Sequence, residues 1–116
     1  MYIREIAEVL QGEILVGHDH LDEQVKAAFG SDLMSDVLAY VMEDTVLLTG
    51  LTNHQVIRTA EMLDLRAIVF VRGKYPSEDV ITLADEQGIV LIASQYSMYN
   101  ASGMLFSRGL KGIGIK

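Results

Sequence analysis

The second half of the sequence alternates short apolar runs with segments of helical spacing, and this alternation limits the fold more than any other feature. The runs "AIVFV" and "IVLIA" are apolar on successive residues, as expected for strands that helices cover on both faces. Strands that alternate with helices in this way form parallel βαβ units. We therefore predict strands at 45–49, 67–72 and 89–93, separated by helices at 53–63 and 77–87, the second of which has Ser77 as its N-cap.

The first half opens with a helical pattern over residues 2–12, in which apolar residues recur at i, i+3, i+4 and i+7. Gly12 can end this helix, because glycine readily adopts the conformation found at helix C-termini. Short strands are predicted next, at 13–17 and 24–30. The apolar face of the first helix consists of Ile3, Ile6, Ala7 and Leu10.

Two further segments complete the predicted architecture. Residues 31–43 are predicted to form a helix, and residues 97–108 another, after which 110–116 finish the chain as a loop or an edge strand. The whole chain, 1–116, is therefore predicted to be a single α/β domain, a three-layer α/β/α sandwich with a mixed, mainly parallel sheet. The side of helix 31–43 predicted to be apolar consists of Leu33, Val37, Leu38 and Val41.

Composition narrows the class of protein. A chain of 116 residues is enough for one core. No apolar run approaches the roughly 20 residues that cross a bilayer, and the N-terminus has a charged helical pattern and no signal sequence, so we expect a soluble cytoplasmic protein. The chain has no cysteine, which excludes disulfides, thiolate metal sites and thiol nucleophiles.

Charge argues against nucleic acid as a partner. The chain has 9 basic and 16 acidic side chains, for a net charge of −7. Nucleic-acid binding requires clustered basic side chains that replace counterions, and the only local concentration is Arg72 with Lys74. We expect neither nucleic acid nor a membrane as a partner, and we interpret the acidic side chains as solvated helix faces.

The turn "TGLTN" after the strand at 45–49 permits two interpretations. In the first, Thr52 caps the following helix and Gln55 reaches back to it, as in a capping box. In the second, the free N–H groups of the helix start and the permissive backbone of Gly50 bind an anion, and Thr49 and Asn53 add side-chain hydrogen bonds. The turn is not a Walker loop, because the G-x-x-x-x-G-K-[ST] spacing is absent.

The ends of the other two strands supply further polar residues. Arg72 and Lys74 follow the strand at 67–72, and if the strands are neighbours Arg72 can face an anion held at the "TGLTN" turn. The alternative is an exposed basic pair without a ligand. The candidate ligand-binding residues are Thr49, Gly50, Thr52, Asn53, Arg72, Gly73, Lys74 and Ser94.

The sequence gives weaker signals for a metal site or a catalytic nucleophile than for an anion site. His18 and His20 would point the same way on an extended strand, but no third histidine is close in sequence, and a solvated acidic turn explains "GHDHLDE" as well. No serine lies in a Gly-x-Ser-x-Gly elbow. We predict no metal, no cofactor and no catalytic residue.

The helix at 97–108 is rich in methionine, aromatic and small residues, a composition common at interfaces. It predicts a homodimer, although one side of the helix must also fill the core. The candidate interface residues are Tyr96, Met98, Tyr99, Met104 and Phe106.

Four stretches carry a family resemblance: "REIAEVLQGEILVG", "GSDLMSDVLAYV", "TVLLTGLTNHQVIRTAEMLDLRAIVFVRG" and "GIVLIASQYSMYNASG". In this order they resemble the DRTGG domain, a module also found in phosphotransacetylases and in CBS-containing pyrophosphatases. The beginning is similar to the N-terminal domains of HPr kinase/phosphorylase and the Mur ligases, so the resemblance implies their related α/β fold. It also implies an accessory domain that is regulatory or forms dimers and is not catalytic.

The motif that names the family is only partly present. Where the family has Gly-Asp-Arg, this chain has Gly50, Leu51 and Thr52, and where the family has Thr-Gly-Gly it reads Val71-Arg72-Gly73. We therefore predict a regulatory module that self-associates and can bind a small phosphorylated or nucleotide ligand.

Two alternatives to the regulatory module remain. A small enzyme of phosphorylated metabolites would use the strand-end residues, but no general base or metal-binding acid pair is evident there. A protein-binding adaptor would have no small-molecule ligand.

Overall fold

The computed structural model describes residues 1–114 and contains a six-stranded sheet between two layers of helices. A short 3₁₀ helix, His18–His20, lies between the first two strands. The strands are β1 (Glu13–Val16), β2 (Ala27–Gly30), β3 (Thr45–Thr49), β4 (Ala67–Phe70), β5 (Val90–Ala93) and β6 (Lys111–Gly112). The helices are α1 (Ile3–Val9), α2 (Met34–Tyr40), α3 (His54–Met62), α4 (Glu78–Glu86) and α5 (Met98–Ser107).

The sheet has the order β1-β5-β4-β3-β2-β6, in which β1 is antiparallel to β5 and every other pair is parallel. Thr49 of β3 lies opposite Phe70 of β4, which in turn lies opposite Ala93 of β5. The three central strands therefore end level with one another. The predicted mixed, mainly parallel sheet is confirmed.

Side chains alternate between the two faces of the sheet, and each face has its own apolar cluster. Val46 and Leu48 of β3 pack in the cluster that includes α1 and α5, whereas Leu47 packs in the cluster with α2, α3 and α4. All residues of β3, β4 and β5 are buried. Burial on both faces explains why their sequences are apolar on successive residues, and it confirms the predicted three-layer sandwich.

Helix α2 is shorter than predicted, and the side that it buries in the core differs from the predicted one. Met34, Val37 and Val41 are buried, whereas Leu33 and Leu38 are exposed. The helix begins only after Leu33 and ends before Val41, which has an extended backbone. Positions 34, 37 and 41 form one stripe, so the prediction that Leu33 and Leu38 share the apolar side was wrong.

The predicted capping box at Thr52 and Gln55 was also wrong. Asn53 is the N-cap of α3, and its side-chain oxygen accepts a hydrogen bond from the Val56 N–H at 3.3 Å. Asparagine is a strong N-cap residue, and it starts the helix one residue later than threonine would. The predicted cap of α4 is confirmed, because the Ser77 hydroxyl accepts from the Val80 N–H.

The C-terminal segment contributes an edge strand. β6 pairs in parallel with β2, as Ala27 lies opposite Lys111 and Ala28 opposite Gly112. This confirms one of the two alternatives predicted for 110–116, although Ile115 and Lys116 lie outside the described residues. Over residues 1–114, every helix is too short or too polar to cross a bilayer.

Candidate functional site

The carboxyl ends of the central parallel strands form one rim. Gly50, Arg72 and Ser94 follow β3, β4 and β5, which are adjacent in the sheet. Hydrogen bonds continue beyond the strands, since the Val71 N–H donates to the Thr49 carbonyl and the Ser94 N–H to the Phe70 carbonyl. The three strands are therefore neighbours, as the hypothesis of a shared ligand site at their ends requires.

A carboxylate of the protein itself occupies the turn after β3. Asp32 Oδ1 accepts a hydrogen bond from the Gly50 N–H at 2.6 Å and from the Thr49 hydroxyl at 3.0 Å. Asp32 lies in the segment between β2 and α2, so it reaches the turn from the neighbouring strand's carboxyl end. The predicted preference of this turn for an anion is therefore met internally in this structure.

Arg72 faces the same carboxylate. Its Nη2 atom lies 3.9 Å from Asp32 Oδ2, too far for a hydrogen bond but close enough for an ion pair. The guanidinium lies over Gly50, where a Cβ atom would overlap Nη2. Among residues 1–114 the Arg72 side chain has no hydrogen-bond acceptor, and it is half exposed. Its N–H donors are therefore accessible to a ligand.

The turn after β4 fixes the position of Arg72. The Arg72 N–H donates to the Tyr96 carbonyl at 2.8 Å, and the Gly73 N–H donates to the Ser94 carbonyl at 2.9 Å. Arg72 and Gly73 have positive φ angles of 61° and 68°. A non-glycine residue in this conformation is uncommon and costs stability, and such residues are found more often at functional sites than elsewhere.

Other predicted ligand residues have internal partners. The Ser94 side chain is buried, and its hydroxyl donates to the Leu10 carbonyl at 2.9 Å. The Thr49 hydroxyl is bound to Asp32, and the Asn53 side chain caps α3. Among the predicted ligand residues, the exposed side chains without an internal hydrogen bond within residues 1–114 are those of Arg72 and Lys74, with Thr52 partly exposed beside them.

The rim continues to the edge strand β1. Glu13 lies opposite Ala93 and is therefore at the carboxyl end of β5. The Tyr75 hydroxyl donates a hydrogen bond to Glu13 Oε1 at 2.9 Å. This hydrogen bond, together with smaller contributions from desolvation and from the charge of Glu13, raises the pKa of Tyr75 above its ordinary value of 10.0. The phenol, which any tyrosine keeps protonated at neutral pH, therefore remains a donor up to a higher pH than an ordinary tyrosine.

The two histidines of "GHDHLDE" lie in the short 3₁₀ helix and not on an extended strand. His20 Nδ1 lies 2.5 Å from Glu23 Oε2, and Glu23 Oε1 also accepts a hydrogen bond from Arg66. Within the described part of the chain, no group of three or more acidic and histidine side chains is arranged to hold a metal ion. Glu23 thus links the 3₁₀ helix to the segment before β4.

The predicted interface residues of α5 divide into two groups. Tyr99 and Phe106 are 87% and 70% exposed, whereas Tyr96, Met98 and Met104 pack partly against the core. Ala101 and Leu105 form the buried side of the helix. Tyr96, Tyr99 and Met104 also line a shallow groove of about 340 Å³ on the helix surface.

Sequence reasoning missed Asp32, which turned out to be central to the site. The only signal was its position, an acidic residue two places after the end of a parallel strand. Carboxyl ends of neighbouring parallel strands share an edge, so this position could have been included with the other strand ends. The strand at 24–30 is less regular in sequence than the others, so its end gives a weaker signal for ligand residues.

The family model of the DRTGG domain matches residues 5–107. Curated proteins give no significant match to the sequence.

Comparison with solved structures supports the fold. The chain is similar to the crystal structure of the CBS and DRTGG domains of the regulatory region of Clostridium perfringens pyrophosphatase, complexed with the activator diadenosine tetraphosphate. The TM-score is 0.72 and the sequence identity is 15%. The similarity covers 90% of this chain and 45% of that one, so this chain spans less than half of that structure.

The strained backbone of Arg72 gives a stability test. We expect Arg72→Gly to be more stable than Arg72→Ala by about 1 kcal/mol, because glycine adopts positive φ without the cost that a Cβ atom brings. Equilibrium denaturation in urea measures both. Lys74, whose φ is not positive, is the control: there we expect Lys74→Ala to be more stable than Lys74→Gly. Equal stabilities at position 72 would contradict the strain.

The hydrogen bond between Tyr75 and Glu13 gives a pH test. Because the pKa of Tyr75 is raised in the folded protein, its stabilising contribution is complete below pH 10.0 and is lost as the pH rises through the folded pKa. Tyrosinate absorbance, measured against pH for the wild type and for Tyr75→Phe, isolates this residue among the five tyrosines. The difference between the two titration curves reports Tyr75. If its midpoint lay at or below the tyrosine pKa measured in denaturant, the hydrogen bond to Glu13 would be contradicted.

Proposed function

The chain belongs to the DRTGG domain family, and we propose that it works as a cytoplasmic, non-catalytic, single-domain regulatory module that binds a nucleotide or another phosphorylated ligand at the strand rim. The observation that carries this proposal is the Arg72 guanidinium, held over Gly50 by a turn with positive φ angles. The similar pyrophosphatase region is itself regulatory and was solved with a nucleotide activator, which supports the same class of ligand.

The chemistry of the rim suits a phosphate group. A guanidinium presents several N–H donors in a plane and binds phosphate oxygens in pairs, and Lys74 two residues later adds a second positive charge. Thr52 offers a partly exposed hydroxyl beside the same turn. A ligand with several phosphates could contact Arg72 and Lys74 at once, which a single phosphate would do less well.

The rim offers little support for catalysis. Asp32 is engaged by Gly50 and Thr49, and Glu13 accepts a hydrogen bond from Tyr75, so both nearby carboxylates already have partners. Phosphoryl transfer needs a base or a bound metal ion to handle protons and charge. A binding role requires neither, and we therefore favour it over an enzyme of phosphorylated metabolites.

Isothermal titration calorimetry with diadenosine tetraphosphate, ATP, AMP and inorganic tripolyphosphate tests the ligand. We expect at least one to bind, and Arg72→Ala to weaken its binding by about tenfold or more, the usual effect of losing a charge-assisted hydrogen bond. Arg58→Ala, which removes an exposed arginine from α3, is the matched control and should change little.

Two outcomes would count against the ligand proposal. If Arg72→Ala and Arg58→Ala lost the same amount of affinity, the effect would be one of general charge only. If none of the compounds bound to the wild type, the proposal would be contradicted. Turnover of a compound, lost in Arg72→Ala, would favour the enzyme instead.

We also propose that the exposed side of α5 forms a homodimer. Tyr99 and Phe106 are large aromatic side chains left in water, and Ser102 and Gly103 between them would let a second helix approach closely. Aromatic residues are enriched at the cores of interfaces, where their burial supplies much of the binding energy. A different protein partner on the same surface is the alternative.

Light scattering after size exclusion tests the homodimer. We expect a dimer for the wild type and a monomer for Tyr99→Glu, because a carboxylate buried without a partner would oppose association. Met62→Glu is the matched control, since Met62 is 74% exposed on α3, and it should remain a dimer. A wild-type monomer at high concentration would contradict the homodimer and leave a different protein as the partner of this surface.

A further inference from the structure

We propose that Asp32 is an internal competitor for the ligand's phosphate, so that the rim selects polyphosphates over single phosphates. This inference rests on the ligand site proposed above and adds a residue that regulates it. Its physical basis is that Asp32 already occupies the position that a ligand oxygen would take at the turn after β3.

The carboxylate has the contacts of a bound oxyanion. Oδ1 receives the Gly50 N–H at 2.6 Å and the Thr49 hydroxyl at 3.0 Å, while Oδ2 faces the Arg72 guanidinium at 3.9 Å. These are two hydrogen bonds and one opposite charge, the arrangement that proteins use for phosphate oxygens. The donors come from the end of β3 and the turn after β4, and not from a helix N-terminus.

Displacement of Asp32 needs only a local change. Its side chain is half exposed and lies in the three-residue segment between β2 and α2. The Ser31 hydroxyl accepts from the Leu33 N–H at 3.0 Å, so the backbone of this segment is held independently of the Asp32 side chain. The carboxylate can therefore leave the turn by side-chain rotation and enter water.

Competition predicts a preference among anions. A single phosphate that binds Arg72 stays close to the Asp32 charge and is repelled by it. A polyphosphate can bind Arg72 through one phosphate and replace Asp32 at the Gly50 N–H through another, so it compensates for the hydrogen bonds that are lost. The site should therefore discriminate against monophosphates for as long as Asp32 is charged.

Asp32→Asn tests the competition, because the amide keeps an oxygen for the Gly50 N–H but has no charge. Two unit charges about 4 Å apart in water repel enough to change an equilibrium by about fivefold. We expect Asp32→Asn to bind inorganic phosphate at least about fivefold more tightly than the wild type at low salt, and to gain less with inorganic tripolyphosphate. Calorimetry measures both affinities.

Asp36→Asn is the matched control, because it removes one exposed negative charge from the first turn of α2. We expect Asp36→Asn to raise the affinity for phosphate only slightly, through the long-range reduction in negative charge. An Asp32→Asn affinity for phosphate equal to that of Asp36→Asn, or lower than that of the wild type, would overturn the competition. If Arg72→Ala still abolished binding in that case, the ligand site itself would stand.

Nuclear magnetic resonance of the wild type gives a test that needs no variant. A carboxylate bond of 2.6 Å to the Gly50 N–H should give this amide a characteristic chemical shift. Saturating tripolyphosphate should move the Gly50 amide and the Asp32 carboxyl resonances together with those of Arg72. Movement of the Arg72 resonances alone would overturn the displacement of Asp32. If neither tripolyphosphate nor phosphate bound to the wild type or to Asp32→Asn, both the proposed ligand site and the proposed competition would be contradicted.

Discussion

Burial of β3, β4 and β5 on both faces is the constraint on which the rest of the structure depends. Strands buried in this way need helices on both sides of the sheet, and the chain satisfies this by running each connection through a helix. All three strands then point in the same direction and end level, with Thr49, Phe70 and Ala93 in register. The rim, with its concentration of turns and polar groups, follows directly from this arrangement.

Much of this architecture could be predicted from the sequence because burial leaves a strong local pattern. The apolar runs of β3, β4 and β5 identified the strands, and the serine at position 77 identified the start of α4. Predictions failed where two residues of similar chemistry competed for one role. Asn53 caps α3 in place of Thr52, and Met34 fills the core in place of Leu33, because a shift of one residue turns a helix by about 100°.

The candidate site was harder to predict because its contacts join distant parts of the chain. The Ser94 hydroxyl bonds to the Leu10 carbonyl, 84 positions away, and no local pattern indicates that this group is buried and has a partner. Asp32 is similar, since its partners are the threonine and the glycine 17 and 18 positions later, respectively. The family's naming motif has an Asp-Arg pair after this glycine; here Asp32 and Arg72 bring a carboxylate and a guanidinium to the same glycine from two other segments.

The bond between the Arg72 N–H and the Tyr96 carbonyl has a mechanical consequence. Helix α5 begins at Met98, two residues after that carbonyl, and crosses the sheet to the edge where β6 pairs with β2. The arginine turn and the first turn of this long helix are therefore tied together by the backbone. A displacement of the arginine turn would therefore either stretch this hydrogen bond or also displace Tyr96 and the start of α5, the helix that carries Tyr99 and Phe106.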